Sequence, residues 1–271
     1  MTRDPSAAEG PGSASTAGVE GPEWGARARP WSELCAPMSE PAWRVIADAT
    51  GIGTGMRVLD VACGSGEFCA LAAGRGASVS GIDAAGGMIE IARARVPAAH
   101  LRVGPMERLP WADAGFDVVT AFNAVQFAAD PVVALAEARR VVRPDGRVAV
   151  CNWGGERELF AVLRPLGELS PPKPGPARPA VGEPGVLEDL FGRAGLTPGR
   201  GGEVDVPFTA PDLPALERAL LAGAGFGSAI EHAGEETVRR TLADTAAPFR
   251  RADGSYRFGN RFRYLVGARA P

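Results

Sequence analysis

The chain between residues 57 and 153 alternates short apolar runs with amphipathic segments of similar length. Buried strands are predicted at Arg57–Ala62, Ala77–Ile82, Leu101–Val103, Phe116–Phe122 and Arg147–Trp153. Helical patterns stand between them at Gly66–Ala73, Gly87–Val96 and Pro131–Val142. Strands that alternate with helices form right-handed βαβ units and pair in parallel. The alternation therefore predicts an α/β fold built on a parallel sheet.

The flanking segments are predicted to be a tail and a cover. Residues 1–22 are mostly Gly, Ala, Ser, Pro and Thr, a composition that predicts a disordered tail because it buries little apolar area. Trp24 and Trp31 share one face of a predicted helix. We expect one domain over residues 23–271. Its nucleotide-binding core spans about 52–153, and its cover comes from residues 23–50 and from segments within 154–250.

Composition excludes several classes of partner. The net charge of −3 and the pI near 5.6 argue against a nucleic-acid binder, which carries a basic face or stripe. Polar residues interrupt the most apolar stretch, Val118–Ala136, so no membrane span is predicted. The four cysteines form no C-x-x-C pair and only two histidines are present, so no structural zinc site is expected. A reduced, cytoplasmic setting is the simplest interpretation.

The most informative segment is Val58–Glu67, where a strand ends in an acid and turns through two glycines into a helix. Glycines let the backbone approach a ligand closely, because no Cβ intervenes. The dinucleotide-binding fingerprint requires a third glycine, and Cys69 stands in its place. Asp60, at the strand end, is a poor neighbour for a pyrophosphate and a good one for an amino group or another cation.

A second acid follows the next strand. Asp83 lies 19 residues after Gly64, close to the spacing of about 20 at which a carboxylate accepts from ribose hydroxyls. The two acids together predict a ligand with a ribose diol and a positively charged, amino-bearing tail.

Five motifs carry a family resemblance: VLDVACGSGE, GIDAAGGMIEIAR, VGPMERLPW, FDVVTAFNAVQF and ARRVVRPDGRVAV. In order and spacing they resemble class I S-adenosylmethionine-dependent methyltransferases, above all the quinone-biosynthesis C-methyltransferases and their natural-product relatives. The resemblance covers residues 40–153 strongly and 185–269 loosely. It implies a Rossmann-like, seven-stranded, mostly parallel sheet with helices on both faces and a helical cover over the ligand edge. It also implies S-adenosylmethionine as the cofactor.

The resemblance assigns residues to the methionine half of that cofactor. Asp60 would orient the amino group, directly or through water, and the backbone carbonyl of Asn123 would contact the methionine end. Backbone contacts along the methionine moiety would come from Ala62, Cys63, Gly64 and Gly66.

The adenosine half is assigned in the same way. Asp83 would hold the ribose diol, and the adenine would lie among Ala84, Met88, Met106 and Glu107. The family often has Asp-Ala-Glu where residues 105–107 here read Pro-Met-Glu. The carboxylate that would accept from the adenine amine is therefore missing, and contacts of Met106 are expected to replace it.

No residue is assigned as a catalytic acid or base. The acceptor is expected to lie near Trp31, Gln126, Phe127 and Trp153, at the carboxyl edge of the sheet. His232 is a weak candidate for a general base, and a surface role is favoured for it and for His100. Cys63 and Cys69 are interpreted as small buried hydrophobic residues.

The expected reaction is transfer of a methyl group from S-adenosylmethionine to a small, partly hydrophobic acceptor in specialised metabolism. The sequence leaves open whether the acceptor atom is O, N or C, and whether the protein forms a homodimer. Two alternatives remain. One is an enzyme that catalyses a non-methylating rearrangement or cyclisation, and the other is a non-catalytic module that binds the cofactor.

Overall fold

A seven-stranded sheet forms the centre of the protein. The computed structural model describes residues 16–171, 180–223 and 226–270. The strands of this sheet are β1 (Arg57–Val61), β2 (Ser78–Asp83), β3 (His100–Val103), β4 (Phe116–Phe122), β5 (Val142–Arg157), β6 (Leu196–Asp205) and β9 (Asn260–Arg269). Their order is β3-β2-β1-β4-β5-β9-β6, in which β9 pairs in antiparallel fashion with β5 and β6 and all other pairs are parallel. The predicted seven-stranded, mostly parallel sheet is confirmed.

Helices cover both faces of the sheet, as predicted. Those before β9 in the chain are α1 (Thr16–Ala26), α2 (Ala28–Leu34), α3 (Glu40–Thr50), α4 (Glu67–Gly74), α5 (Gly86–Arg95), α6 (Pro131–Val141), α7 (Phe160–Glu168), α8 (Val186–Arg193), α9 (Leu213–Glu217), α10 (Gly227–Ala233) and α11 (Glu235–Ala246). Buried apolar residues of α3, α4 and α5 pack in one cluster with the sheet, and those of α6 and α8 pack in another. Each face thus removes its own apolar surface from water.

A third apolar cluster joins the helices that follow β5. It gathers buried residues of α7, α9, α10 and α11 around Phe258, which is fully buried. It also includes a two-stranded ribbon of β7 (Phe208–Ala210) and β8 (Tyr256–Phe258), which pair in antiparallel fashion. Each strand of this ribbon is three residues long, which is too short to show an alternating pattern that would predict the pairing.

The predicted tail at residues 1–22 is wrong for residues 16–22, which belong to α1. Its Glu20 is only 8% exposed. Gly21 packs so closely on the sheet edge that a Cβ there would lie 2.6 Å from the carbonyl oxygen of Ala84. The small residues that suggested disorder are therefore what permits this close packing. Residues 1–15 lie outside the described residues.

The bounds of β5 also differ from the expectation. The strand was predicted at Arg147–Trp153, whereas β5 runs from Val142 to Arg157, and its register with β4 shifts between Val142 and Arg147. Val142 pairs with Phe116 of β4, and Arg157 pairs with Asn260 of β9. Pairing with neighbouring strands thus extends β5 beyond the local apolar run.

Gly66 offers a test of this packing. It begins α4 with a φ of +83°, and a Cβ there would lie 2.9 Å from Cβ of Ala92 on α5. We expect Gly66→Ala to lower the free energy of unfolding by about 1–3 kcal/mol, measured by chemical denaturation. In the control Gly86→Ala, the added Cβ meets no atom within 4 Å, and stability should stay unchanged. Equal stability of the two variants would contradict the close contact.

Candidate active site

A cavity opens at the carboxyl ends of β1, β2, β4 and β5, with α1 and α2 as its outer wall. β1 lies between β2 and β4, so the crossovers leave β1 in opposite directions across the sheet. Open α/β sheets bind ligands at such a point, where no helix covers the strand ends. The topology therefore places the candidate site here.

Asp60 lies at the floor of the cavity, at the end of β1. It is 2% exposed, and its Oδ1 accepts a hydrogen bond of 2.7 Å from the Thr120 hydroxyl. Burial raises the pKa of Asp60 to about 7, the Thr120 hydrogen bond opposes the rise, and the charges of Asp83 and Glu67 add to it. A cation in the cavity would stabilise the ionised carboxylate, because water does not reach it.

The loop after β1 bends its backbone toward the cavity. Ala62 and Gly64 line it and have φ angles of +56° and +54°. A Cβ at Gly64 would meet no protein atom within 4 Å. A ligand can therefore approach the backbone here without obstruction, which fits the predicted contact with a methionine moiety. Cys63 also lines the cavity, whereas Gly66 lies outside the lining and packs on α5.

Asp83 holds the adjoining loops in place. Its Oδ2 accepts from the backbone N–H of Gly64 at 2.8 Å, and its Oδ1 accepts from that of Ala85 at 2.9 Å. Burial raises the pKa of Asp83, and these two hydrogen bonds oppose the rise. Each carboxylate oxygen has a second lone pair available for a ligand hydroxyl.

The predicted adenine-side residues divide into two groups. Ala84, Met88 and Met106 line the cavity together with Ile82. Glu107 does not line it. Its Oε1 accepts a hydrogen bond of 2.7 Å from the backbone N–H of Ala129, which ties the segment after β3 to the loop after β4.

Two amide side chains follow β4 and line the cavity. Asn123 has a φ of +49°, and its backbone carbonyl oxygen accepts a 2.8 Å hydrogen bond from Nε2 of Gln126. Oδ1 of Asn123 and Oε1 of Gln126 are buried, with no hydrogen-bond partner among the described residues. Buried acceptors are normally paired, so these two oxygens suit a ligand that brings N–H or O–H donors.

Several aromatic side chains also line the cavity. Trp24 meets Trp31 at a centroid distance of 5.0 Å and Phe127 at 5.7 Å, both edge to face. These contacts join the wall formed by α1 and α2 to the loop after β4. Trp153, at the β5 end, packs on Phe262 at 4.9 Å. The predicted acceptor residues all line the cavity, and so does Trp24, which was predicted to share a helical face with Trp31. The sequence analysis did not predict the aromatic residues Trp43, Phe68 and Phe122 in the lining.

Two further carboxylates were missed. Glu20 lines the cavity from α1, and Trp24 donates to it through Nε1 at 3.2 Å. Glu67 lines it from the first turn of α4, and its Oε1 accepts from Ser65 at 2.6 Å and from Arg95 at 2.6 Å. Glu67 directly follows the glycine loop, so that position in the sequence was a usable signal, whereas nothing local marked Glu20.

The cavity is acidic overall. Four carboxyl groups line it, and among its described lining residues none is Lys or Arg. Such a lining attracts a cation and repels a phosphate. It therefore fits a nucleoside that carries a positively charged tail, as the two strand-end acids predicted.

Part of the chain is similar to known methyltransferases. Residues 59–150 match the model of the methyltransferase domain family. Over 110 residues the chain is 36% identical to a demethylmenaquinone methyltransferase of Renibacterium salmoninarum, covering 41% of this chain and 46% of that protein. Over 92 residues it is 40% identical to a malonyl-[acyl-carrier protein] O-methyltransferase of Serratia marcescens, covering 34% and 36%. The chain thus spans less than half the length of these curated relatives.

Over residues 59–150 the chain thus resembles the class I S-adenosylmethionine-dependent methyltransferases.

A solved structure shows the same fold. The S-adenosylmethionine-dependent methyltransferase from Aquifex aeolicus superposes with a TM-score of 0.52 at 19% identity, covering 66% of this chain and 92% of that chain. None of the helices within the described ranges, 16–171, 180–223 and 226–270, combines the length and apolar character that a membrane span needs.

The two histidines and the cavity thiol of Cys63 are not suited to acid–base or nucleophilic roles. His232 and His100 are exposed and do not line it. The pKa of the Cys63 thiol is raised well above its usual value by a hydrogen bond with Cys69 and by burial. This thiol is therefore protonated at neutral pH and is not a nucleophile.

The raised pKa of Asp60 predicts that the stability of the protein depends on pH. The folded carboxyl keeps its proton up to a pH of about 7, whereas an unfolded Asp loses it near pH 4. The folded protein therefore binds more protons in this window, and its free energy of unfolding falls as the pH rises through it. Asn carries no such charge. We expect Asp60→Asn to exceed the wild type in thermal stability at pH 8.

The difference in free energy of unfolding between Asp60→Asn and the wild type should shrink by up to about 1.4 kcal/mol per pH unit from pH 7 toward pH 4. Asp244 is exposed on α11, so Asp244→Asn is the matched control and should follow the wild type at every pH. A margin for Asp60→Asn that does not vary with pH would contradict the raised pKa.

Proposed function

We propose that the protein transfers the methyl group of S-adenosylmethionine to a small, partly hydrophobic acceptor. The observation that carries the proposal is the composition of the cavity lining. Buried carboxylates and unpaired amide oxygens line the cavity together with several aromatic side chains. A cofactor with a charged, amino-bearing end suits the polar groups, and an apolar acceptor suits the aromatic ones.

The polar groups of the lining would hold the two ends of the cofactor. Asp60 and the two unpaired oxygens of Asn123 and Gln126 would accept from the amino group, and Asp83 would accept from the ribose diol. Backbone at Ala62, Cys63 and Gly64 would follow the methionine chain, with Ala84, Met88 and Met106 around the adenine. When bound, S-adenosylmethionine supplies a methyl group made electrophilic by its positive sulfur. Gly66 and Glu107 would act indirectly, by holding α5 and the loop after β4.

The aromatic side chains of the lining would position the acceptor and exclude water. Trp24 and Trp31 close the cavity from α1 and α2, and Trp153 closes it from β5. A cationic group that is losing its charge reacts more readily in a dry cavity than in water, and a fixed orientation of the acceptor contributes further. We assign no general base, because neither His100 nor His232 lines the cavity.

The two named relatives act on different molecules by their names, a demethylmenaquinone and a malonyl-[acyl-carrier protein]. Their names therefore do not choose the acceptor atom for this chain. The aromatic lining supports a small, partly hydrophobic acceptor, and we place the protein in specialised metabolism on the same ground.

Binding of the cofactor should depend on pH through Asp60. Below its pKa of about 7 the carboxyl is protonated, and binding of a cation must first expel that proton. We expect the affinity for S-adenosylmethionine, measured by calorimetry, to rise by up to about tenfold per unit between pH 5.5 and 7. Asp60→Asn should bind weakly with no such rise, and Asp244→Asn should retain it. An equal rise in Asp60→Asn would assign the dependence to another group.

Transfer itself is tested with S-adenosylmethionine that carries a deuterated methyl group, incubated with a panel of phenols, enols, amines and carboxylic acids. Mass spectrometry should find the labelled methyl in a product. A product with an unchanged methyl count would support rearrangement or cyclisation instead. Tight cofactor binding with no product from any acceptor would support a binding module.

The aromatic wall is tested in the same assay. We expect Trp24→Ala and Trp31→Ala to lower turnover at least about tenfold while cofactor affinity falls less, because water enters and the acceptor loses its contacts. Leu34 lies on α2 with 38% exposure, so Leu34→Ala is the control and should keep full turnover. Full turnover in both Trp variants would show that the wall takes no part in the reaction.

A further inference from the structure

A second concave surface lies at the opposite edge of the sheet, where β1, β2 and β3 begin. Residues 104–115, between β3 and β4, form no helix, so the strand face beneath them is only partly covered. The result is a groove of about 750 Å³. Ser78 and Ser80 lie on its floor beside His100, which pairs with Ser80 in the sheet. Small polar side chains thus replace the apolar ones expected beneath a covering helix.

The groove is basic. Arg57, Arg93 and Arg102 line it, and among its described lining residues none is Asp or Glu. Arg93 is held by a hydrogen bond of 3.2 Å from Nη2 to the carbonyl oxygen of Leu101. Arg102 lies over the ring of Trp111, 5.5 Å from its centroid. The walls therefore present guanidinium groups whose positions are already set by other contacts.

These charges are little compensated. Neither Arg93 nor Arg102 forms an ion pair with a described residue. Arg57 has a carboxylate neighbour, Asp117, at 4.0 Å from its Nε, but Asp117 also forms an ion pair with Arg143. The groove thus keeps a net positive charge in a protein whose overall charge is −3.

Ser80 adds a hydrogen-bond donor to the groove. The residue is 7% exposed, it lines the groove, and its hydroxyl makes no hydrogen bond with the described residues. The hydroxyl can therefore donate to an anionic oxygen that binds in the groove.

We propose that this groove binds a small phosphate compound with at least two negative charges. Guanidinium groups pair with phosphate oxygens through two parallel hydrogen bonds. A tetrahedral phosphate also presents oxygens in several directions, so it can accept from the floor at Ser80 and from Arg93 and Arg102 on the walls at once. A nucleic acid would need a basic stripe longer than this groove, and the net charge of the chain opposes it.

The groove is separate from the methyl-transfer cavity, since none of the described residues lines both. β1 and β2 run from one to the other, with Arg57 and Ser78 at their beginnings and Asp60 and Asp83 toward their ends. The proposed phosphate site therefore does not depend on the proposed methyl transfer.

The test is calorimetric titration with pyrophosphate at constant ionic strength. We expect saturable binding of one pyrophosphate per chain, weakened about tenfold or more in the double variant Arg93→Gln/Arg102→Gln. Ser80→Ala, which removes a donor without changing the charge, should also weaken it. Arg147 is exposed at the same edge but outside the groove, so Arg147→Gln is the control and should bind as the wild type does.

Titration with S-adenosylmethionine checks that the variants are folded, and its affinity should be unchanged in all of them. Three results would overturn the proposal. Pyrophosphate could fail to saturate, the Arg147→Gln control could lose as much affinity as the double variant, or citrate could bind as tightly as pyrophosphate. The last result would assign the groove to carboxylates.

Discussion

The burial of Asp60 at the end of β1 is the constraint around which the site is built. An ionised carboxylate loses its hydration when it is buried, and one hydroxyl from Thr120 replaces only part of it. The loop that passes over it adopts positive φ angles at Ala62 and Gly64. At Ala62, which has a side chain, this conformation lowers the stability of the fold further. The two apolar clusters that pack on the faces of the sheet offset these costs. A cationic ligand above Asp60 would stabilise the carboxylate in place of water.

Much of the fold could be predicted because its signals are local. Each strand of the parallel half is a short apolar run, and the turn from β1 into α4 is marked by its own glycines. The ends of parallel strands meet at one edge, so a residue that ends a predicted strand is already close to its counterparts. For this reason Asp60, Asp83, Asn123 and Trp153 were brought together without knowledge of any contact between them.

Contacts between distant segments could not be predicted, because no local pattern encodes them. Gly66 was predicted to contact the ligand through its backbone, and the structure adds that its Cβ position is taken by Ala92 on another helix. Glu107 was predicted to lie beside the adenine, and the structure adds that it accepts from the backbone of Ala129, 22 residues away. Glu20 was placed in a disordered tail, although Gly21 packs against the loop after β2. Spacing within a motif identifies which residues lie near one another, but not which of two neighbours each one contacts.

The outer wall of the cavity has a consequence for how the protein is made. Trp24 packs on Phe127, and the Cys35 thiol donates to the carbonyl oxygen of Ala219, 184 residues away. α1 and α2 leave the ribosome before any of these partners exist, and helices of this length are only marginally stable alone. They must wait, with two tryptophans unburied, until the last helices have been synthesised. The segment that shields the cavity in the finished protein is therefore the one that chaperones and proteases can reach for longest during synthesis.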